Sequence, residues 1–209
     1  MTAIGHEGPG GPPGGGAPAA APPGFARPEF SIVPKLGLPF VAAVLIGLIT
    51  VIAGDWLWGL TWFHVVGGAS WTVIDLFVGF IIGPIIGRMS IPARIEFSTR
   101  FMPKMLLLMP AVVTMTLASG FQLARHLGYL DPSYPRHAWI VASMIVVGVM
   151  ATVALGYLEP ANIAVLFELK KEKPNGLVID RLMKRFIYTS GITGLAQVAT
   201  LIIMTRIAS

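Results

Sequence analysis

The sequence predicts an all-α integral membrane protein: a bundle of five transmembrane helices, N-terminus cytoplasmic and C-terminus extracytoplasmic. Three observations lead there. The chain is 55% hydrophobic and only 12% charged, with a mean hydropathy of +0.75, whereas a soluble domain carries about 25% charged residues. Five apolar stretches are long enough for a hydrocarbon core about 30 Å thick, which takes roughly 20 helical residues. Lys and Arg gather in alternate connections, the asymmetry that sets orientation in a bilayer.

Residues 1–30 open with MTAIGHEGPGGPPGGGAPAAAPPG, a run of Gly, Pro and Ala that cannot bury enough apolar surface to offset its ordering entropy. A disordered cytoplasmic tail is expected there, followed by a transmembrane domain over 31–209. No basic stretch precedes a short apolar core and cleavage site, so the first span is expected to stay as an uncleaved anchor.

The first helix is expected over about Leu36–Ala53, ended by GDWLWG with its interfacial tryptophans. The second covers about Leu60–Ile86 and the third about Lys104–Leu123, with Pro110 as a kink tolerated in lipid. The fourth runs from Ala138 to at least Leu158; whether 159–173 continues it is left open by Glu159-Pro160. The fifth covers about Phe186–Ile207. Arg88, Arg94, Arg100 and Lys104 follow the second helix, and Lys170, Lys171, Lys173, Arg181, Lys184 and Arg185 precede the fifth. The first hairpin has no basic residue and 124–137 only Arg125 and Arg136. An odd number of spans agrees with termini on opposite sides.

Composition also excludes functions. Without cysteine there is no disulfide, zinc–thiolate site, iron–sulfur cluster or thiol nucleophile. The net charge of +5 comes from residues between apolar runs, so it marks orientation and not a nucleic-acid partner. No GxSxG, HExxH or phosphate-binding loop occurs in helical context, so no catalytic residue is assigned and no catalysis is expected from this chain alone.

The polar groups inside the apolar runs carry the functional question. On the second helix His64, Gly68, Trp71 and Asp75 recur at steps of four, three and four residues, which places them on one face. Gly79, Gly83 and Gly87 continue that face as a doubled small-xxx-small pattern for close helix packing. Thirteen Leu, Ile, Val and Phe residues between 61 and 86 contribute about 4–8 kcal/mol to insertion, against roughly 2.5–3.5 for a central aspartate. The helix therefore inserts, and Asp75 must be protonated or hydrogen-bonded inside the bundle. Gln197, Thr114 and Thr116 lie at similar depth as partners. Asp75 is then interhelical glue, part of a proton or ion path, or a contact to a ligand or another subunit.

His64, His126, His137 and Asp55 fall toward one membrane surface. Imidazole suits copper, zinc and haem iron, although the spacings match no metal signature and surface histidines also simply face water. The ten methionines read as packing residues. Glu159 falls near the opposite headgroups, where a salt bridge to Arg88, Arg94 or Lys184 is expected; the alternative is a gate on a path that starts at His64 and Asp75.

The stretch WFHVVGGASWTVIDLFVGFIIGPIIGR opens with an aromatic residue, a histidine, a small-residue pair and a tryptophan. With the ending DRLMKRFIYTSGITGLAQVATLIIMTRIAS, it resembles the CopD-like group of bacterial multi-pass membrane proteins over about 60–207. The resemblance implies a small transport or redox-associated protein of a bacterial-type inner membrane, handling copper or haem b on the extracytoplasmic side. Of its residues only His64 carries over, and the group's Met-rich outer motif is missing. The runner-up is an accessory subunit of a larger membrane complex, or a homo-oligomer, docked through Gly79, Gly83 and Gly87.

Overall fold

The computed structural model describes residues 30–209; the Gly/Pro/Ala-rich tail lies outside the described residues. Among these the protein is all-helical, with five helices long and apolar enough to cross a membrane. They are α1 (Lys35–Ala53), α2 (Leu57–Arg88), α3 (Ile91–His126), α4 (His137–Lys170) and α5 (Gly176–Ala208).

All but α1 are longer than the apolar runs alone suggest. The basic residues expected in connections are built into helices: Arg94, Arg100 and Lys104 lie in the first turns of α3, and Arg181, Lys184 and Arg185 in those of α5. A helix satisfies its own backbone hydrogen bonds wherever the solvent changes, so it need not stop where the apolar stretch does. The α2–α3 connection shrinks to Met89 and Ser90. α4 runs through Glu159-Pro160 to Lys170, which resolves the question left open there.

Prolines explain how two of these helices stay continuous. Phe77–Ile82 in α2 and Ala154–Leu158 in α4 are π-helical turns. Gly83 N–H donates to Val78 O and Glu159 N–H to Ala154 O, each five residues back. Pro84 and Pro160 follow immediately. A proline removes one N–H and its ring collides with the carbonyl four residues back; the wider turn moves that carbonyl aside. α3 keeps Pro103 and Pro110 within an uninterrupted helix.

α2, α3, α4 and α5 form a ring in which each packs on the next and α5 closes against α2. α1 stands outside it against α3 and α2. The core fills with Trp71 and Val78 of α2, Met102, Met109 and Val113 of α3, Leu158 and Leu166 of α4, and Met183 and Phe186 of α5. The buried methionines are packing residues, spread through the core.

Small residues set the closest approaches. A Cβ on Gly79 would lie 2.4 Å from Gly191 Cα, and one on Gly83 2.6 Å from the Ile187 side chain, so α2 and α5 touch backbone to backbone. A Cβ on Gly67 would lie 2.7 Å from Thr116 Oγ1, whereas Gly68 meets Thr116 at an ordinary 3.6 Å. Gly87 has open space around it. The face expected to receive another protein's helix is thus largely occupied by the chain's own α5.

The ends of the bundle are tied by specific contacts. Arg94 donates to Met89 O, Gly87 O and Asp180, and Lys184 pairs with Asp180 at 2.9 Å. Asn175 caps α5 by accepting from Leu177 and Val178 N–H at 3.0 and 3.4 Å. Glu168 holds that turn through Asn175 N–H and Lys171. At the other end Arg136 donates to Ile207 O at 3.2 Å, placing a cation on the C-terminal carbonyls of α5.

Candidate functional site: a buried carboxyl between two spans

Asp75 lies halfway along α2 and is 1% exposed. Its Oδ2 accepts from Thr193 Oγ1 at 3.1 Å and from Gln197 Nε2 at 2.9 Å, both on α5. The spacing of four residues from Thr193 to Gln197 stacks their side chains on one face of α5. Gly194 and Gly191 on the same helix admit α2 closely: a Cβ on Gly194 would stand 3.0 Å from Leu76 N. The Ser190 hydroxyl and the Trp71 indole also face the carboxyl.

Two groups in this cluster are buried without a hydrogen-bond partner among the described residues: Trp71 Nε1, a donor, and Gln197 Oε1, an acceptor. Trp71 is 2% exposed and Gln197 3%. Each such group costs about 1–3 kcal/mol, and in lipid no bulk water relieves it. The site therefore holds one unused donor and one unused acceptor around a single carboxyl.

Gln197 partners Asp75, but the expected threonines of α3 do not. Thr116 donates instead to Val112 O within its own helix and packs on Gly67. Thr114 is exposed. Thr193 takes their place, because α2 meets α3 around His64–Gly68 and α5 from Asp75 onward. The single face read from the spacing thus meets two helices in succession.

His64 shows the first of these contacts. Its Nδ1 lies 3.0 Å from Thr116 O. A carbonyl only accepts, so Nδ1 is the donor in this contact. The ring fits because residue 120 is glycine: a Cβ there would lie 2.5 Å from Nδ1. His126 pairs with Asp55 at 2.9 Å across the α1–α2 turn, and His137 Nδ1 lies 3.4 Å from Tyr129 O.

No three His, Asp or Glu side chains among the described residues come together in a way that could hold a metal ion. Of the four candidates only His126 and Asp55 meet, while His64 and His137 each sit in a separate local contact. Neither the small cavity between α3, α4 and α5 nor the groove between α2 and α5 beside Arg94 and Asp180 is lined by any of these four. Among the described residues these four do not gather into a donor set for a metal ion.

Glu159 differs from its expected role. Arg94 and Lys184 are engaged by Asp180, and Glu159 makes no ion pair among the described residues. Its Oε1 is buried without a partner and its side chain lines a small cavity between α3, α4 and α5. The helix continues through Pro160 and leaves Glu159 half-buried, with Oε1 turned inward.

Fold and site together define a bundle with five helices long and apolar enough to cross a membrane, with a protonatable group sealed between two of them. No family model, curated protein or solved structure matches the chain.

Proposed function

We propose that this is a small transport protein of a bacterial-type inner membrane in which Asp75 takes up and releases a proton during its working cycle. The basic residues near the α2–α3 and α4–α5 connections favour an orientation with the N-terminus cytoplasmic and the C-terminus outside. The observation that carries the reading is the pair of unused groups beside Asp75, Trp71 Nε1 and Gln197 Oε1. A carboxyl serving only as glue between helices would be surrounded by satisfied partners. Here the neutral acid can donate to Gln197 Oε1 after rotation of the amide, and the carboxylate can accept from the Trp71 indole. Each protonation state thus has a partner waiting for it, as a group that changes charge within a membrane requires.

Copper or haem handling of the CopD-like kind has no support in the donor set, and the accessory-subunit reading loses most of its docking face to α5. The test is proton flux into lipid vesicles containing the purified protein, driven by an imposed pH gradient. Asp75→Asn, nearly isosteric, is expected to abolish flux while leaving the helical circular dichroism and elution volume unchanged. Unchanged flux in that variant removes the proposal.

A further inference from the structure

Glu159 is a second, half-buried acid that the Asp75 site does not use. It sits one residue past the π-helical turn of α4, with Oε1 buried and unpartnered. The Asn162 side chain lies beside Glu159; oriented to satisfy both its ends, the amide donates to Met102 O and accepts from Leu106 N–H of α3, at 3.3 and 3.1 Å.

The cavity beside Glu159 is bounded by Met109, Pro110 and Val113 of α3, by α4 itself, and by Phe186 and Ser190 of α5. No other titratable side chain lines it. The volume open to a water molecule's centre is about 10 Å³, and one buried water needs about 10–15 Å³ of such volume. Room for one water is therefore what the packing leaves. Ser190, 1% exposed, lines this cavity and also faces the Asp75 carboxyl. Gln197, Thr193 and Ser190 descend α5 over seven residues, about 10 Å of helix, toward the end that carries Arg94 and Lys184.

We propose that Glu159 is a second proton station, connected to Asp75 through the Ser190 hydroxyl and one water molecule in the cavity between α3, α4 and α5. The inference rests on the reading of Asp75 as a proton-exchanging group. The protonated Asp75 carboxyl gives its proton to Ser190 Oγ while the Ser190 hydroxyl proton passes to the water. The water in turn releases a proton to the Glu159 carboxylate. One proton has moved: Asp75 is left as carboxylate, Glu159 becomes neutral, and serine and water are regenerated. Reversal of the same bonds carries the proton back.

The vesicle assay is repeated with Glu159→Gln and Ser190→Ala, beside infrared difference spectra of the protonated-carboxyl band recorded across a pH step. Glu159→Gln is expected to lower flux on the order of 100-fold, the effect of removing a group that transfers protons, and to delete one of two carboxyl bands. Ser190→Ala, a small change well tolerated in a helix, is expected to slow flux and shift the bands of both acids, because it breaks their shared link. Wild-type flux in Glu159→Gln together with no flux in Asp75→Asn overturns this inference and leaves the reading of Asp75 standing. A Ser190→Ala spectrum in which neither band moves also overturns it. Flux that survives Asp75→Asn removes the reading on which it rests.

Discussion

At the scale of single residues, two acids that look alike in the sequence have unlike roles. Asp55 lies in the first hairpin and Asp75 on the helix that follows it, yet Asp55 is exposed and has a left-handed backbone, φ 49°. Asp and Asn tolerate that conformation, while a β-branched residue there is strained. Asp55→Asn is therefore expected to leave thermal stability nearly unchanged, since its exposed pair with His126 is worth at most about 1 kcal/mol. Asp55→Val is expected to cost about 1–2 kcal/mol, read as a lower midpoint in thermal unfolding in detergent. Equal midpoints for the two variants would show that the turn does not depend on this residue's backbone. The importance of Asp75 was legible because a carboxyl amid thirteen large apolar residues needs a reason. That Thr193 partners it was not, since spacing within α2 says nothing about which helix lies opposite.

At the scale of elements, the decisive contact is α2 on α5. Gly79 and Gly191 let the two backbones meet, and this proximity brings Thr193 and Gln197 within reach of Asp75. Gly79→Ala places a methyl against Gly191 Cα and is expected to destabilise by about 1–3 kcal/mol, as overpacking does. Gly87→Ala, with nothing near its added carbon, is expected to stay within about 0.5 kcal/mol. Denaturation of both variants in mixed micelles, followed by tryptophan fluorescence, checks the contrast; equal stabilities would mean that the helices part without cost. The hydrogen bonds to Asp75 add less, about 0.6 kcal/mol each for typical interhelical bonds in membranes. The glycines position the site, and the polar groups are there for what they do. The small-xxx-small spacing was readable; that Pro84 and Pro160 would each be absorbed by a π-helical turn, leaving Glu159 half-buried with Oε1 turned inward, depended on neighbours.

At the scale of the whole molecule, a four-helix ring carries both acids and α1 leans on its outside. The charge asymmetry between the two ends belongs to this scale. With the N-terminus inside and five spans, a phosphatase fused after Ser209 is expected to be active and a fluorescent protein fused there dark, because only the former folds outside the cytoplasm. The reverse pair of results would invert the proposed orientation, and with it the direction in which Asp75 and Glu159 are met by a proton. Lys170 Nζ donates to Phe30 O at 2.9 Å and lies 4.9 Å above the Phe30 ring, so Phe30, the last residue of the region expected as tail, packs on the helical bundle.

The sequence by itself determined the solvent of this protein, the number of its spans and the face of α2 that must avoid lipid. These follow from length, hydropathy and periodicity, which are properties of one segment at a time. Only the tertiary structure decided that this face is shared between α3 and α5. It likewise dispersed the histidines over separate contacts, with only His126 meeting Asp55, and aimed Glu159 at a cavity beside Ser190. The reason is that helix crossing and kinking depend on which small residues and prolines meet across an interface, and that pairing is not written in either helix alone.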